Sequence, residues 1–256
     1  MKQLFTTIAM LISLASFGQD TLKLKTTPEY KRFLIGINIS PDYCYRTLKS
    51  TDGSSISNTI IDLRNKNEEY KIGYTAGLNI CYTISKNLGI EAGIQYSNKG
   101  FALSASNFTY AEMIDPRYGI TYPTNGTIGP KKVKFIDNYH YIDVPIRAIY
   151  CFGEKRISFV ASIGVTTNIL INATQTNVLE YENGDIKRDN VDRPYDFNPI
   201  NLTPTVSVGM DYKINKKINL RVEPTFRYGL LRIIEAPITT YLWNGGLNIT
   251  GYYAIK

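Results

Sequence analysis

One histidine, one tryptophan and three cysteines are all that this chain of 256 residues holds of those types. A metal centre needs clustered ligands. A lone His140 with Cys44, Cys81 and Cys151 far apart offers none, so neither metal nor cofactor is expected. An odd number of cysteines cannot all pair within the chain, and no Cys-x-x-Cys spacing occurs, so the three read as small buried apolar residues. Charge is scarce as well. Asp, Glu, Lys and Arg make up 20%, below the quarter usual for soluble domains. The net charge of +7 is spread without a basic run, which argues against nucleic acid and for a mild attraction to anionic lipid headgroups. Beyond the N-terminus no apolar run reaches about 18 residues, which excludes a helical membrane bundle. Phosphate-cradling glycine motifs are missing, so nucleotide binding is not supported. No pair of carboxylates is flanked by a cleft-building loop, as glycoside hydrolysis would need.

What is present starts with a leader. Lys2 precedes the mostly apolar Leu4 to Phe17, then small Gly18 and polar Gln19-Asp20. This is the pattern of a signal peptide at 1–18, cleaved after Gly18. Residues 19–32 are expected to form a periplasmic N-terminal segment, and 33–256 a β-barrel domain. No cysteine lies near the cleavage site, so a lipid anchor is not expected.

The rest of the chain is dominated by a period of two. From Ile218 to Leu230, even positions are apolar (Ile218, Leu220, Val222, Phe226), and odd ones polar (Asn219, Arg221, Glu223, Arg227). Such alternation makes a strand with one apolar face. Eight segments share it: 33–46, 69–84, 88–101, 138–152, 156–171, 202–214, 218–231 and 241–255. Tight turns at Ser85–Asn87, Gly153–Lys155 and Asn215–Lys217 alternate with long connections that carry turn signals at Asp52-Gly53, Asn125-Gly126 and Asn183-Gly184. Helix-period stripes are absent. The expected fold is all-β, an eight-stranded antiparallel up-and-down transmembrane barrel with short turns at one rim and long loops at the other.

Alternation alone fits a soluble lipocalin-like barrel equally well, and three features favour the inverted, membrane form. The polar face is small, carrying Gly36, Gly73, Gly77, Gly89, Gly93, Gly164, Gly209, Gly229 and Gly246, as a narrow lumen requires. Its charges nearly cancel: Asp42, Glu91, Asp143, Asp211 and Glu223 against Arg46, Lys71, Arg147, Lys213, Arg221 and Arg227. A confined interior demands that balance, because a buried unpaired charge is costly. Aromatics gather at the segment ends, as two girdles. Tyr43, Tyr45, Tyr70, Tyr74, Tyr96, Phe101, Tyr139, Tyr141, Phe226, Tyr228, Tyr241 and Trp243 fall towards the long-loop rim. Phe33, Tyr82, Phe152, Tyr212 and Tyr253 fall towards the other. Mid-segment Pro145 and Pro224 predict local bulges.

Ile90–Phe101 reads IEAGIQYSNKGF and His140–Phe152 reads HYIDVPIRAIYCF. These stretches resemble the PorT-like outer-membrane β-barrel family of Bacteroidota. The resemblance is carried by Tyr96, Ser97, Lys99 and Gly100, then by Tyr141, Ile142, Asp143, Val144 and Pro145. It implies an eight-stranded barrel and Pro145 as a family feature. It implies no activity; a role in the phylum's secretion and gliding machinery belongs to the name-giving members. The end of the chain keeps the alternation at Tyr253 and Ile255, while Lys256 departs from the aromatic residue on which such barrels usually finish.

Chemistry is sparse. His140 falls on the outward face near the long-loop rim, where a girdle position is the plain reading and a lipid-modifying hydrolase the rival. Asp42, Lys71, Glu91, Asp143, Arg147, Asp211, Arg221, Glu223 and Arg227 are expected to form a structural charge network that plugs the lumen; the rival is an ion path. No catalytic residue is expected. The functional expectation is a non-enzymatic outer-membrane barrel of Gram-negative bacteria. Its expected partners are membrane lipid and lipopolysaccharide, the barrel assembly machinery during insertion, and a protein at the outer loops.

Overall fold

The computed structural model describes residues 33–106, 130–153, 156–193 and 196–255. The leader, the segment 19–32, the turn at Asn125-Gly126 and Lys256 lie outside the described residues. The elements in chain order are β1 (Phe33–Ser50), α1 (Ser55–Asn67), β2 (Glu68–Glu69), β3 (Lys71–Thr83), β4 (Leu88–Ser106), β5 (Lys132–Phe152), β6 (Ile157–Glu180), β7 (Ile186–Asp192), β8 (Ile200–Lys213), β9 (Ile218–Tyr228) and β10 (Ile238–Ala254). Eight of the ten strands close a ring in the order β1-β3-β4-β5-β6-β8-β9-β10, with β10 pairing back to β1 from Leu34↔Ala254 to Ser50↔Ile238. All pairings within the ring are antiparallel. The other two strands lie off it: β2 pairs with β4, and β7 with β6. Among the described residues no helix is long and apolar enough to cross a membrane.

The faces of the ring are inverted relative to a water-soluble barrel. On β1, Ile37 is 69% exposed while its neighbour Asn38 is 1% exposed. Ile72, Ile94, Ile146, Ile163 and Val208 are likewise exposed. In water each such side chain would forgo roughly 1.5–3 kcal/mol of burial; against lipid nothing is forgone, and this outer band is the lipid-facing one.

The girdle expectation needs one correction. Phe101, Tyr139 and Tyr141 point inwards and are buried, packed with Ile233 and Leu242. Along β5 the parity never changes, but its polarity does. Odd positions face inwards throughout: Arg147 and Asp143 at membrane depth, then Tyr141, Tyr139, Phe135 and Val133 towards the long-loop side. Where a strand leaves lipid for water, the apolar residues move to its inner face. Tyr43, Tyr70, Tyr74, Tyr96 and Trp243 remain in the outer girdle, in contact as rings: Tyr43 stacks on Tyr70 at 4.3 Å and on Trp243 at 6.1 Å. Lys213, expected on the inner face, is exposed at the short-turn rim.

The prolines also behave differently from expectation. Around Pro145 and Pro224 the ladder drops out for two residue pairs and resumes in the same register, without a bulge. Pro41 does the same in the β1–β10 seam. A missing N–H interrupts the hydrogen bonds, and the flanking pairs hold the strands aligned. The one register shift in the β5–β6 ladder is elsewhere, between His140 and Tyr141 on β5, opposite Ile171.

Two elements rise beyond the ring. Helix α1 is capped by Ser54, whose hydroxyl accepts from the Ser57 backbone N–H at 3.0 Å. Asp52 accepts in turn from the Ser54 backbone N–H at 3.0 Å and from the Ser50 and Ser57 hydroxyls. The second element is the β6–β7 hairpin, turned at Asn183-Gly184 with Gly184 at φ +86°. The outer edge strand β7 is exposed along its length and studded with Lys187, Arg188, Asp189 and Asp192, a charge pattern that discourages edge-to-edge pairing.

Candidate functional site

The inner faces of the eight strands converge on a lumen filled by charged and amide side chains. Its densest part joins five strands. The Arg147 guanidinium (β5) donates to the Glu91 carboxylate (β4), through Nε at 3.0 Å and also through Nη2, and lies 3.5 Å from the Glu223 carboxylate (β9). Arg221 (β9) donates to Asp211 (β8) at 3.0 Å and stands 3.7 Å from Glu91. The Tyr252 hydroxyl (β10) donates to Glu91, while its ring carries the Arg221 guanidinium 4.6 Å from its centroid. Ser207 donates to Glu223 at 2.7 Å.

A second layer lies closer to the long-loop side. Asp42 accepts from Ser40 and Thr75, both at 2.6 Å, and from Arg227 at 3.1 Å. Asp143 pairs with Lys99 at 3.0 Å and accepts from Asn168 at 2.6 Å. Of the nine residues expected in the lumen network, eight stand in these two layers. Lys71 does not: its ammonium donates to Asn98 and Asn138, on the outward face of β4 and β5. Lys99 joins the inner layers unforeseen; inward parity just inside the aromatic girdle is the signal that could have found it. At the top, Arg46 donates to Glu68 at 2.6 Å and Arg193 pairs with Asp137 at 3.0 Å, around the apolar cluster of Phe101, Tyr139, Tyr141, Ile233 and Leu242. The charges are buried and paired, as a low-dielectric interior requires. Ion pairs thus occupy the lumen at membrane depth, and aromatics gather at its mouth.

Above the mouth a cavity of about 340 Å³ is roofed by α1 and floored by Phe101, Tyr139, Phe197 and Ile233. His140 lies on the outward face. Its Nδ1 shares a hydrogen bond of 2.6 Å with the Tyr96 hydroxyl and meets the Asn98 amide at 3.4 Å. Among the described residues, no group of three His, Cys, Asp or Glu side chains could hold a metal ion.

A protein-family model described as outer membrane protein beta-barrel domain matches residues 17–235. A comparison with curated proteins gave no match. Among solved structures, the chain is similar to the outer membrane protein AlkL in lipid bilayers, with 12% identity, 94% of this chain and 97% of that one covered, and a TM-score of 0.45. It is similar to the outer membrane protease OmpT from Escherichia coli, with 10% identity, coverage of 92% and 100%, and a TM-score of 0.42. It is also similar to Neisserial surface protein A, with 9% identity, coverage of 87% and 97%, and a TM-score of 0.41.

Proposed function

The chain belongs to the outer membrane protein beta-barrel domain family, and from that premise we propose that it is a non-enzymatic, non-conducting barrel whose work is done outside the membrane, by the surfaces its long strands hold up. The observation that carries this reading is the ion-pair network joining β4, β5, β8, β9 and β10 across the lumen. Ions crossing would have to break several buried pairs at once, each costing a few kcal/mol. Outer-membrane lipid and lipopolysaccharide surround the barrel, the assembly machinery inserts it after the leader 1–18 is removed, and a protein partner docks on the outer loops. The role is envelope integrity, adhesion or membership of a larger envelope complex. The finer placement among PorT-like proteins of Bacteroidota rests on Tyr96, Ser97, Lys99, Gly100 and Tyr141–Pro145.

Two rivals are separable from it. A lipid-modifying enzyme would need His140 beside a nucleophile and a carboxylate; its hydrogen-bond partners are Tyr96 and Asn98. His140→Ala is therefore expected to leave the phospholipid and lipid A profiles unchanged, and an altered profile would revive the enzyme. A small-solute channel would give steady, ion-selective current in planar bilayers, where the plugged barrel gives none. Migration of boiled and unboiled outer-membrane fractions on SDS gels tests the shared premise: the folded barrel runs faster unboiled.

A further inference from the structure

The ring is incomplete at one place near the outer girdle. The β3–β4 ladder ends at Tyr74↔Asn98, and β4 is next paired on that side at Ala102 by Glu69 of β2. Residues 99–101 therefore face a window in the wall. Lys71 fills it. Its backbone has the inward parity of β3, yet its ammonium donates to Asn98 and Asn138, both outward residues. Gly100 makes room for the crossing. A Cβ there would fall on the Asp137 carbonyl and lie 3.4 Å from Lys71 Cδ, and the backbone holds φ +148°.

On the lipid side of the window is a groove of about 400 Å³ between Ile72 and Tyr74 on one bank and Ile136 and Asn138 on the other. Lys134 and Glu69 close its upper end as an ion pair at 2.9 Å, and Ser104 donates to Glu69. Asp137, on the inner side, is paired with Arg193. Among the described residues Lys71 has no carboxylate within ion-pair distance; its two partners are neutral amide oxygens. The groove thus holds one buried positive charge in excess, at the level where Tyr70, Tyr74 and Tyr96 mark the membrane interface.

A buried ammonium held directly only by neutral amides, with its nearest carboxylate Asp137 engaged by Arg193, is costly, and in this place the available counter-ion is a lipid headgroup. We propose that the window is a binding site for the phosphate headgroup of an outer-leaflet lipid, gripped by Lys71 and Lys134, with an acyl chain along Ile72. This rests on the outer-membrane reading above and on the long loops facing outwards.

The test uses the full chain purified in neutral detergent, with phosphatidic acid and diacylglycerol of matched acyl chains as probes and native mass spectrometry as the readout. The wild type is expected to retain phosphatidic acid over diacylglycerol. Lys71→Met should weaken retention roughly tenfold, the scale of one lost charge-assisted hydrogen bond. Lys217→Met, at the opposite rim, should leave it unchanged. Every protein is first checked for heat-modifiable migration. Loss of the shift in the wild type would overturn the barrel reading itself. A retained shift with no preference for phosphatidic acid would overturn only the headgroup site. Should Lys71→Met fail to fold, Lys134→Gln, on a half-exposed side chain, is expected to weaken retention several-fold, and no effect there overturns the proposal. Displacement of phosphatidic acid by millimolar inorganic phosphate would reassign the window to free anions and overturn the lipid assignment.

Discussion

Glu91 on β4 and Arg221 on β9 approach to 3.7 Å from opposite sides of the ring, four strands apart in either direction. Two side chains rooted in opposing walls can meet only if the lumen between them is filled. Both are also tied locally, Glu91 to Arg147 and Arg221 to Asp211, so the contact braces the barrel across its width. Buried pairs of this kind add little net stability over apolar packing, yet breaking one is expensive, because the orphaned partner stays buried.

Glu91→Gln should therefore destabilise the barrel by about 3–5 kcal/mol, since it leaves Arg147 and Arg221 facing a neutral amide. Urea unfolding in lipid vesicles, followed by loss of the unboiled fast-migrating band, measures it. The combined change of Glu91, Arg147 and Arg221 to Ala removes three of the five charges, leaves Asp211 and Glu223 without their arginines and puts water in the place of the lost side chains. It should open a measurable conductance in planar bilayers, and silence from that variant would count against ion pairs as the seal.

Adjacent glycines on β10 should respond in opposite ways. Gly246 faces inwards, where a Cβ would land on the Asp42 carboxylate and 2.6 Å from Ser40 Oγ. Gly246→Val should displace Asp42 from Arg227 and cost about 1–3 kcal/mol, the scale of ordinary overpacking. Gly245 faces outwards, and a Cβ there would meet no atom within 4 Å; Gly245→Val should fold normally. Equal losses in both would show that backbone freedom, and not lumen space, selects glycine here.

The cap of α1 should weaken in acid. The Ser54 backbone N–H, followed by the hydroxyls of Ser50 and Ser57, holds the Asp52 carboxyl down to about 2 from an ordinary value of 3.8. Because the folded value is the lower one, its stabilisation is complete above about pH 4 and disappears as the pH falls through 2. A carboxyl-carbon NMR titration should find a midpoint near 2 for Asp52, moving upwards in Ser57→Ala. A midpoint near 4 in the wild type would mean the cap does not form.

The thiols give a labelling test of burial. Cys44 and Cys81 are buried and free. Maleimide reagents should leave both unmodified in the folded barrel and label them after boiling. Rapid labelling before heating would mean that the lumen admits water and solutes at their depth.

The period-two pattern is enough to locate all eight ring strands, because lipid on one side and packed polar groups on the other force strict alternation. It fails where the solvent changes. Phe101, Tyr139 and Tyr141 keep the alternation but face inwards, since above the membrane the outside is water and the apolar side chains close the mouth; composition alone cannot tell that inversion from a girdle. Helix α1 escapes the pattern because Ile56 and Leu63 are exposed and no apolar stripe forms; its local signal is the Ser54 cap with Asp52 before it. Inward parity locates Asp42, Glu91 and the arginines of the plug. It misleads for Lys71, whose flexible stem passes through a gap that only the three-dimensional ladder reveals.

The unequal strand lengths give the molecule a front and a back. β4, β5 and β6, backed by β7, run on together past the level of His140, and at about 3.3 Å per residue with a 40° tilt the eight residue steps of β5 from His140 to Lys132 climb roughly 20 Å. The opposite flank, built from β8 and β9, has no such extension. In a fluid membrane the barrel can spin, but a visitor does not meet the same object from every bearing. From one side it encounters a tall parapet edged with alternating charge; from the other, the bridged segments of Phe197 and Ile234 that line the cavity beneath α1. Direction of approach thereby becomes a determinant of what can dock, fixed by how unequally the strands continue after leaving the lipid.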